Sequence, residues 1–467
     1  MVCYTIMIIT VDTCETITEF LLRTGRGLPS VCALGRGCGK CRVKLLSGVW
    51  ECDGRILRAP CSATACRTRL KSCVGTIEVP DDEKKTTVLR SWENSFPLPC
   101  NEAPVIALDL GSTTIAGVRI ERGTVVKSAG CLNGQCAWGD NVMSRIEKAG
   151  THFAEVRNAL LDSCRQILEE LEYKSVLRIG AAGNTVMSCF LHGVDPAPIG
   201  VYPFRAPRLV FPETKEVFEG KSLVTVPALT GLLGGDVTAG LFTHPLAEGE
   251  LFLDLGTNCE MVFCTPEGLW GSSAAAGPAF EGAGVTAGSR AVTGAIDHYE
   301  GAGRYTVIGG GEPRSICGSG VIDFLAVERA KGHLDKFGRF VSGAQRAEIA
   351  PGVSLSESDL AEVLKAKAAL FSGIRALEEH TGCQVKKIKL AGGFSPFLNV
   401  DNARKTGLLP DVETEICGNT SLAGAALAAA APETAVGMER AFSSIRELHL
   451  NEVPKFTELF TRGLLLP

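Results

Sequence analysis

Val105-Ile106-Ala107-Leu108-Asp109-Leu110-Gly111-Ser112-Thr113-Thr114 is the stretch on which the fold turns. An apolar run ends in an acid, then a glycine, then three hydroxyl residues. That order predicts a buried strand opening into a tight turn whose N–H and hydroxyl groups point outward toward an anion. Asp109, at the strand end, is placed to hold Mg²⁺ through water. A near-copy follows at Leu251-Phe252-Leu253-Asp254-Leu255-Gly256-Thr257-Asn258. Two such hairpins predict two similar halves facing one another across a nucleotide.

Working outward, the chain from Pro104 alternates strands and helices. Val105–Leu110, Ile115–Glu121 and Thr124–Cys131 read as strands, Phe153–Leu171 as a helix and Val176–Ala182 as a buried strand. A proline-rich segment spans Pro196 to Pro212. The second half repeats the theme with Leu251–Leu255, Cys259–Cys264 and Leu269–Ser272, a glycine-laden run from Ala274 to Gly303, and helices at Ile322–Lys331 and Glu357–Glu379. Strand Lys387–Ala391 then meets Gly392-Gly393. This alternation predicts an α/β architecture.

Residues 1–82 differ. Short β-like runs (Tyr4–Val11, Cys41–Leu46, Thr76–Val79) and one helix, Thr16–Arg23 with Asp12 or Thr13 as cap, predict a small α+β unit. A charged, proline-punctuated linker covers 83–103. Two lobes are expected near 104–246 and 247–431, with a C-terminal tail at 432–467.

With 467 residues, 45% hydrophobic and 21% charged, the chain has ample material for several domains. A net charge of −5 argues against nucleic acid held by general electrostatics. The N-terminus lacks a basic leader, and the most apolar candidate for a span, Leu422–Ala431, is short and alanine-rich. A cytoplasmic chain with no membrane partner is therefore expected.

Cysteine is overused: 19 residues, nine of them before position 75. Cys32, Cys38 and Cys41 are spaced C-x5-C-x2-C among Gly35, Gly37 and Gly39. This is close to the three-plus-one pattern of plant-type [2Fe–2S] ferredoxins. The fourth ligand must come from Cys52, Cys61, Cys66 or Cys73, and Cys66 is the choice. Zinc is the competing reading, but zinc sites usually bring two Cys pairs. Gly39-Lys40 lacks the rest of a P-loop. The cysteines at 100, 131, 136, 164, 189, 383 and 417 show no ligand spacing, and the seven histidines are scattered without a metal-binding pattern.

Taken together, the cysteine loop and the hairpins resemble the reductive activators of corrinoid proteins. In that family a β-grasp [2Fe–2S] ferredoxin domain is fused to a two-lobed ATPase of the actin/Hsp70/sugar-kinase (RNase H-like, ASKHA) superfamily. The matching segments include Ala182-Gly183-Asn184-Thr185-Val186-Met187, Gly234-Gly235-Asp236-Val237, and Asp254 through Glu260. They continue with Ala274-Ala275-Ala276-Gly277-Pro278-Ala279-Phe280-Glu281-Gly282, Ile316–Gly320, Leu390–Phe394, Gly418–Ala425 and Phe456–Phe460. Cys259 stands where the family usually has glycine, and Ser289 where it often has methionine. Members often carry a middle domain, for which the linker here leaves no room.

The resemblance implies roles. Asp109 and Asp254 approach Mg²⁺ from the two halves. Gly111, Ser112, Thr113 and Thr114, with Gly256, Thr257 and Asn258, cradle the ATP phosphates. Asp236 orients the attacking water, although an aspartate after two glycines also suits a helix N-cap. Gly318, Ser319 and Gly320, with Gly392 and Gly393, line the rest of the nucleotide. Cys32, Cys38, Cys41 and Cys66 hold the cluster.

The activity implied is ATP-dependent one-electron reduction of Co(II) to Co(I) in the corrinoid protein of an anaerobe's methyltransferase system. A low-potential donor refills the cluster, and the ATPase part forms a homodimer. Rival readings share the ATPase fold: an activator of radical 2-hydroxyacyl-CoA dehydratases, and a redox-regulated metabolite kinase. A third is a redox-gated scaffold without turnover.

Overall fold

The computed structural model describes residues 6–23, 41–80, 98–139, 141–282, 284–301 and 303–467. The N-terminal unit comprises β1 (Ile6–Val11), α1 (Ile17–Arg23), β2 (Arg42–Ser47), β3 (Val49–Cys52), β4 (Arg55–Arg58), β5 (Cys61–Thr64), β6 (Thr68–Leu70) and β7 (Gly75–Pro80). One sheet runs β1-β7-β2-β5 and a smaller one β4-β3-β6. Alternation along β2 sends Val43 and Leu45 inward, where they join Ile17, Leu21, Trp50 and Ile77 in one core. The helix cap is neither Asp12 nor Thr13. Thr16 Oγ1 accepts from Glu19 N at 3.2 Å, and the Glu19 carboxylate accepts from Thr16 N at 2.7 Å, a reciprocal capping box.

The first lobe is built from β8 (Val105–Leu110), β9 (Thr114–Glu121), β10 (Thr124–Leu132), α2 (Val142–Glu170), β11 (Arg178–Gly183), α3 (Thr185–His192), β12 (Thr214–Phe218), β13 (Lys221–Thr225) and α4 (Gly235–Thr243). Its sheet order is β10-β9-β8-β11-β13-β12. β8 is covered on both faces, which is why its sequence is a continuous apolar run. α2 starts eleven residues before the expected Phe153, because Asn141 and Ser144 form a capping box there. The backbone kinks at His152, yet Ile146, Ala149, Phe153, Val156 and Leu160 keep facing the same core across it.

The second lobe comprises β14 (Glu250–Leu255), β15 (Cys259–Thr265), β16 (Gly268–Ala274), β17 (Ala295–Gly301), β18 (Arg304–Val307), β19 (Ser315–Ile316), α5 (Gly318–Ala330), β20 (Arg346–Ala350), β21 (Val353–Ser356) and α6 (Glu357–Thr381). It continues with β22 (Lys387–Ala391), α7 (Val400–Thr406), β23 (Glu413–Gly418), α8 (Thr420–Ala430), α9 (Glu433–Phe442), β24 (Arg446–Glu447) and α10 (Phe456–Gly463). The main sheet runs β23-β22-β14-β15-β16-β24. In each lobe three antiparallel strands are followed by a fourth and a fifth added in parallel on the other side of the first. The halves share a topology, as the paired hairpins imply. The C-terminal residues complete the second lobe: Arg446 pairs with Trp270, and Leu448 N donates to Gly271 O at 2.8 Å.

The lobes exchange helices. α4, from the first half, packs Val237 and Leu241 against Phe252 and Val262 of the second. α8, from the second half, lays Leu422, Ala425 and Ala429 on Val105 and Ala107 of the first. A Cβ at Gly180 would stand 2.1 Å from Ala425 O, so sheet and helix touch backbone to backbone. That close approach explains the alanine run: small side chains let α8 lie flat. Among the described residues, no helix is long and apolar enough to cross a membrane.

Candidate functional site

The register Asp254↔Glu260 across β14 and β15, and the end of β8, bring carboxylates into the cleft between the lobes. Asp109 closes β8, Asp254 closes β14, Asp236 sits in the first turn of α4, and Glu260 rises from β15. Asp109, Asp236 and Asp254 are half-buried and Glu260 is buried. Burial raises each of them, and at Asp236, Asp254 and Glu260 repulsion from acidic neighbours adds to it. Asp236 is pushed up to about 7, by burial and then Asp109, against a bond from Val237 N. Asp254 is pushed up to about 8, by burial and then by Asp236 and Asp109. Glu260 is likewise raised well above its ordinary value, by burial and then by Asp236 and Asp254.

Asp109 is treated differently. Burial raises it too, but Asn419 Nδ2 donates to one oxygen at 2.8 Å and Ser421 Oγ to the other at 2.8 Å, pulling it back. Asn419 Oδ1 meanwhile accepts from Leu422 N at 2.8 Å, capping α8. One side chain thus fixes both the helix and the carboxylate. Convergent acids that repel one another unless a cation lies among them fit Mg²⁺.

The two hairpins face each other, with the Thr113 and Thr257 hydroxyls 3.5 Å apart. The first is braced from behind by buried Asn133: its amide donates to Gly111 O at 3.0 Å, and its backbone N to Thr113 O at 2.9 Å. The second closes with Gly256 N donating to Asn258 O at 3.0 Å, while Thr257 Oγ1 donates to Glu281 at 2.9 Å. Ser112 and Thr114 lie in and beside the first turn, half-buried.

Gly392 follows β22 with φ +95°, and a Cβ there would stand 2.6 Å from Asp254 Oδ1. Only glycine lets this turn pass so close to the acid. Gly393 has open space around its Cα. Asp236 is not the N-cap of α4; Gly234 is, and a Cβ on Gly234 would meet Asp236 Oδ1 at 2.7 Å. Gly318, Ser319 and Gly320 begin α5 and are buried: Gly318 lies against Phe280 O, and Ser319 Oγ donates to Asp297 O at 2.8 Å.

In the N-terminal unit, Cys32 and Cys38 lie outside the described residues. Cys41 and Cys66 are buried side by side, with Cys66 N directed at Cys41 Sγ at 3.5 Å. Among the other candidates Cys52 Sγ lies 3.9 Å from Thr64 Oγ1, Cys61 is half-buried in β5, and Cys73 is exposed. A buried pair of thiols with a backbone amide aimed at one sulfur fits the kind of site that holds an iron–sulfur cluster.

Sequence reasoning left Glu260, Asn419, Ser421, Glu281 and Asn133 without roles. Asn419 was findable as a helix cap after Gly418. The others required knowledge of which strands face the cleft.

Three family models match: a 2Fe-2S iron-sulfur cluster binding domain over residues 5–71, the RACo middle region over 105–248, and the C-terminal domain of RACo, its ASKHA domain, over 248–467. The middle region is therefore present and coincides with the first lobe, correcting the expectation that the linker leaves no room for it.

The corrinoid activation enzyme RamQ of Eubacterium limosum is 30% identical over 421 residues, covering 78% of this chain and 71% of that one. A [Co(II) methylated amine-specific corrinoid protein] reductase of Methanosarcina barkeri is 26% identical, covering 68% of each chain. The solved structure of a reductive activator for corrinoid, iron-sulfur protein shares the fold, with a TM-score of 0.71 at 24% identity over 97% of this chain and 96% of that one. With family models over residues 5–71 and 105–467 and a relative of this identity and coverage, the chain belongs to the RACo family of reductive activators of corrinoid proteins.

Proposed function

We propose that this protein reactivates a corrinoid protein by ATP-dependent one-electron reduction of its cobalt from Co(II) to Co(I). The observation that carries this is the joining, in one chain, of a paired-thiol cluster site and a cleft whose acids come from both lobes. The [2Fe–2S] cluster, held by Cys32, Cys38, Cys41 and Cys66, supplies one electron per cobalt, and a low-potential donor replaces it.

In the cleft, Asp109 and Asp254 would hold Mg²⁺, and the hairpins at Gly111–Thr114 and Gly256–Asn258 would offer N–H and hydroxyl donors to the phosphates. Asp236 orients water at the γ-phosphate, and Gly392-Gly393 gives the adenine a flat wall. ATP favours one arrangement of the lobes because its donors and acids come from both. The corrinoid partner, preferring that same arrangement, is bound with coupled affinity until hydrolysis releases it. The partner belongs to a methyltransferase system, the activator works in the cytoplasm, and it dimerises through its ATPase part.

The test is anaerobic. Cluster-loaded protein, a Co(II) corrinoid methyltransferase protein, a low-potential reductant and Mg-ATP are mixed, and the cobalt spectrum is followed. The Co(I) band grows only when ATP is present. Cluster reduction with ATP hydrolysis but no Co(I) from any corrinoid protein overturns the reading and favours the dehydratase activator or the kinase. Cys66→Ser alters the cluster's EPR signal, whereas Cys61→Ser and Cys73→Ser leave it unchanged.

A further inference from the structure

The far end of α4 carries a cluster of metal-binding groups that the ATP and cluster sites do not use. His244 caps the helix, and Glu415 and Cys417 stand two residues apart on β23, Cys417 at an irregularity of the strand opposite Leu390 and Ala391. Their ligand atoms all lie within 4.8 Å of one another. No spacing in the sequence announces this group, because more than 170 residues separate His244 from its neighbours.

We infer that His244, Glu415 and Cys417 form a binding site for Zn²⁺ at the seam where the exchanged helix α4 meets the edge of the second sheet. The donor set is imidazole, carboxylate and thiolate. That combination suits zinc rather than Mg²⁺ or Ca²⁺, and three protein ligands leave a fourth tetrahedral position for water.

The surroundings support it. Thr243 Oγ1 lies 3.0 Å from His244 Nδ1, the kind of second bond that orients a ligating imidazole through its other nitrogen. Glu415 is paired with Lys387 at 3.0 Å, but Lys387 also has Glu413 at 3.0 Å, so turning Glu415 to a metal does not strand the lysine. The nearby Lys389 is occupied by Glu250 at 3.1 Å and by Pro245 O. Cys417 is buried and His244 nearly so, while Glu415 is exposed, which gives the ion an entry path. Binding converts the Cys417 thiol to thiolate and releases its proton to solvent.

The ion would tie together two elements that both lead to the ATP site. α4 carries Asp236 in its first turn, and β23 runs through Gly418 into Asn419 and Ser421, which hold Asp109.

The full chain with its cluster assembled is dialysed against micromolar zinc chloride, and zinc and iron are measured on the same sample. Wild type and the exposed control Cys100→Ser retain one zinc per chain with iron unchanged, and zinc raises their melting temperature. Cys417→Ser and Glu415→Gln lose zinc affinity by about tenfold or more and lose the thermal shift. Glu415 is exposed, so its variant carries the test should Cys417→Ser fail to fold. Equal zinc in all four proteins, no zinc in wild type, or zinc gained only as iron is lost overturns the site.

Discussion

The two lobes share the order of five core strands and the same strand–Asp–Gly hairpin, yet their aspartates live in different chemistry. Asp109 receives a hydrogen bond on each oxygen, from Asn419 and Ser421, which come from the other half of the chain. Among the described residues, no side-chain donor reaches Asp254, and its acidic neighbours add to its burial. A duplicated fold thus supplies two equivalent positions, and the exchanged helix α8 makes them unequal. At Asp109 two donors oppose the effect of burial; at Asp254 nothing among the described residues opposes it, and two acidic neighbours add to it.

The sharpest way to break this comparison is Asp254→Asn. ATP hydrolysis should fall by about 10²–10³-fold, the scale of losing a main electrostatic group. The metal-free protein should nevertheless melt at a higher temperature, because a buried like charge is gone. A lower melting temperature would mean that Asp254 is stabilised by something other than a cation.

Titration comes next. Asp236 at about 7 and Asp254 at about 8 are both raised above their unfolded values. Between about pH 4 and pH 8 the native state therefore holds protons that the unfolded chain has released. Without Mg²⁺, stability is greatest at the acid end of that window and is lost as pH rises through it, by on the order of a few kcal/mol. Mg²⁺ with nucleotide should flatten the curve, since the ion stabilises the ionised acids. Melting curves across that range, with and without Mg²⁺, check the sign.

In the first lobe, Asp109→Asn should act in the opposite direction from Asp254→Asn. It loses an acceptor facing Asn419 Nδ2 or Ser421 Oγ and costs about 1–3 kcal/mol in denaturant unfolding. A stabilised Asp109→Asn would erase the distinction between the lobes. Ser421→Ala should have the smallest effect, about 1 kcal/mol, with the Asp109 carboxyl rising further because one of its two donors is gone. Infrared titration of the carboxyl band reads that shift.

Much of this site was written in local sequence. The hairpins at Gly111 and Gly256 are legible because a tight turn after a buried strand demands glycine and hydroxyl residues in fixed order. The helix at Ile17 was legible too, but its cap was not: Asp12 and Thr13 are as good cappers as Thr16, and only the reciprocal bond to Glu19 decides among them. α2 was read short although Ile146, Ala149, Phe153 and Val156 keep one helical period; the Asn141–Ser144 capping box marks its true start. Leu422–Ala431 looked like the most apolar segment of the chain. Its alanines are explained by the backbone of Gly180, far away in sequence.

By itself the sequence determined the α/β class, the duplicated hairpins with Asp109 and Asp254, and the cysteine loop ending at Cys41. Each of these depends on groups close together in the chain, where turn and strand preferences act directly. Tertiary structure alone decided that Glu260 joins the acids, that Asn419 and Ser421 hold Asp109, that Cys66 lies against Cys41, and that His244 meets Glu415 and Cys417. Those encounters depend on strand register and on helices exchanged between lobes, and burial then sets the charge of every group that they bring together.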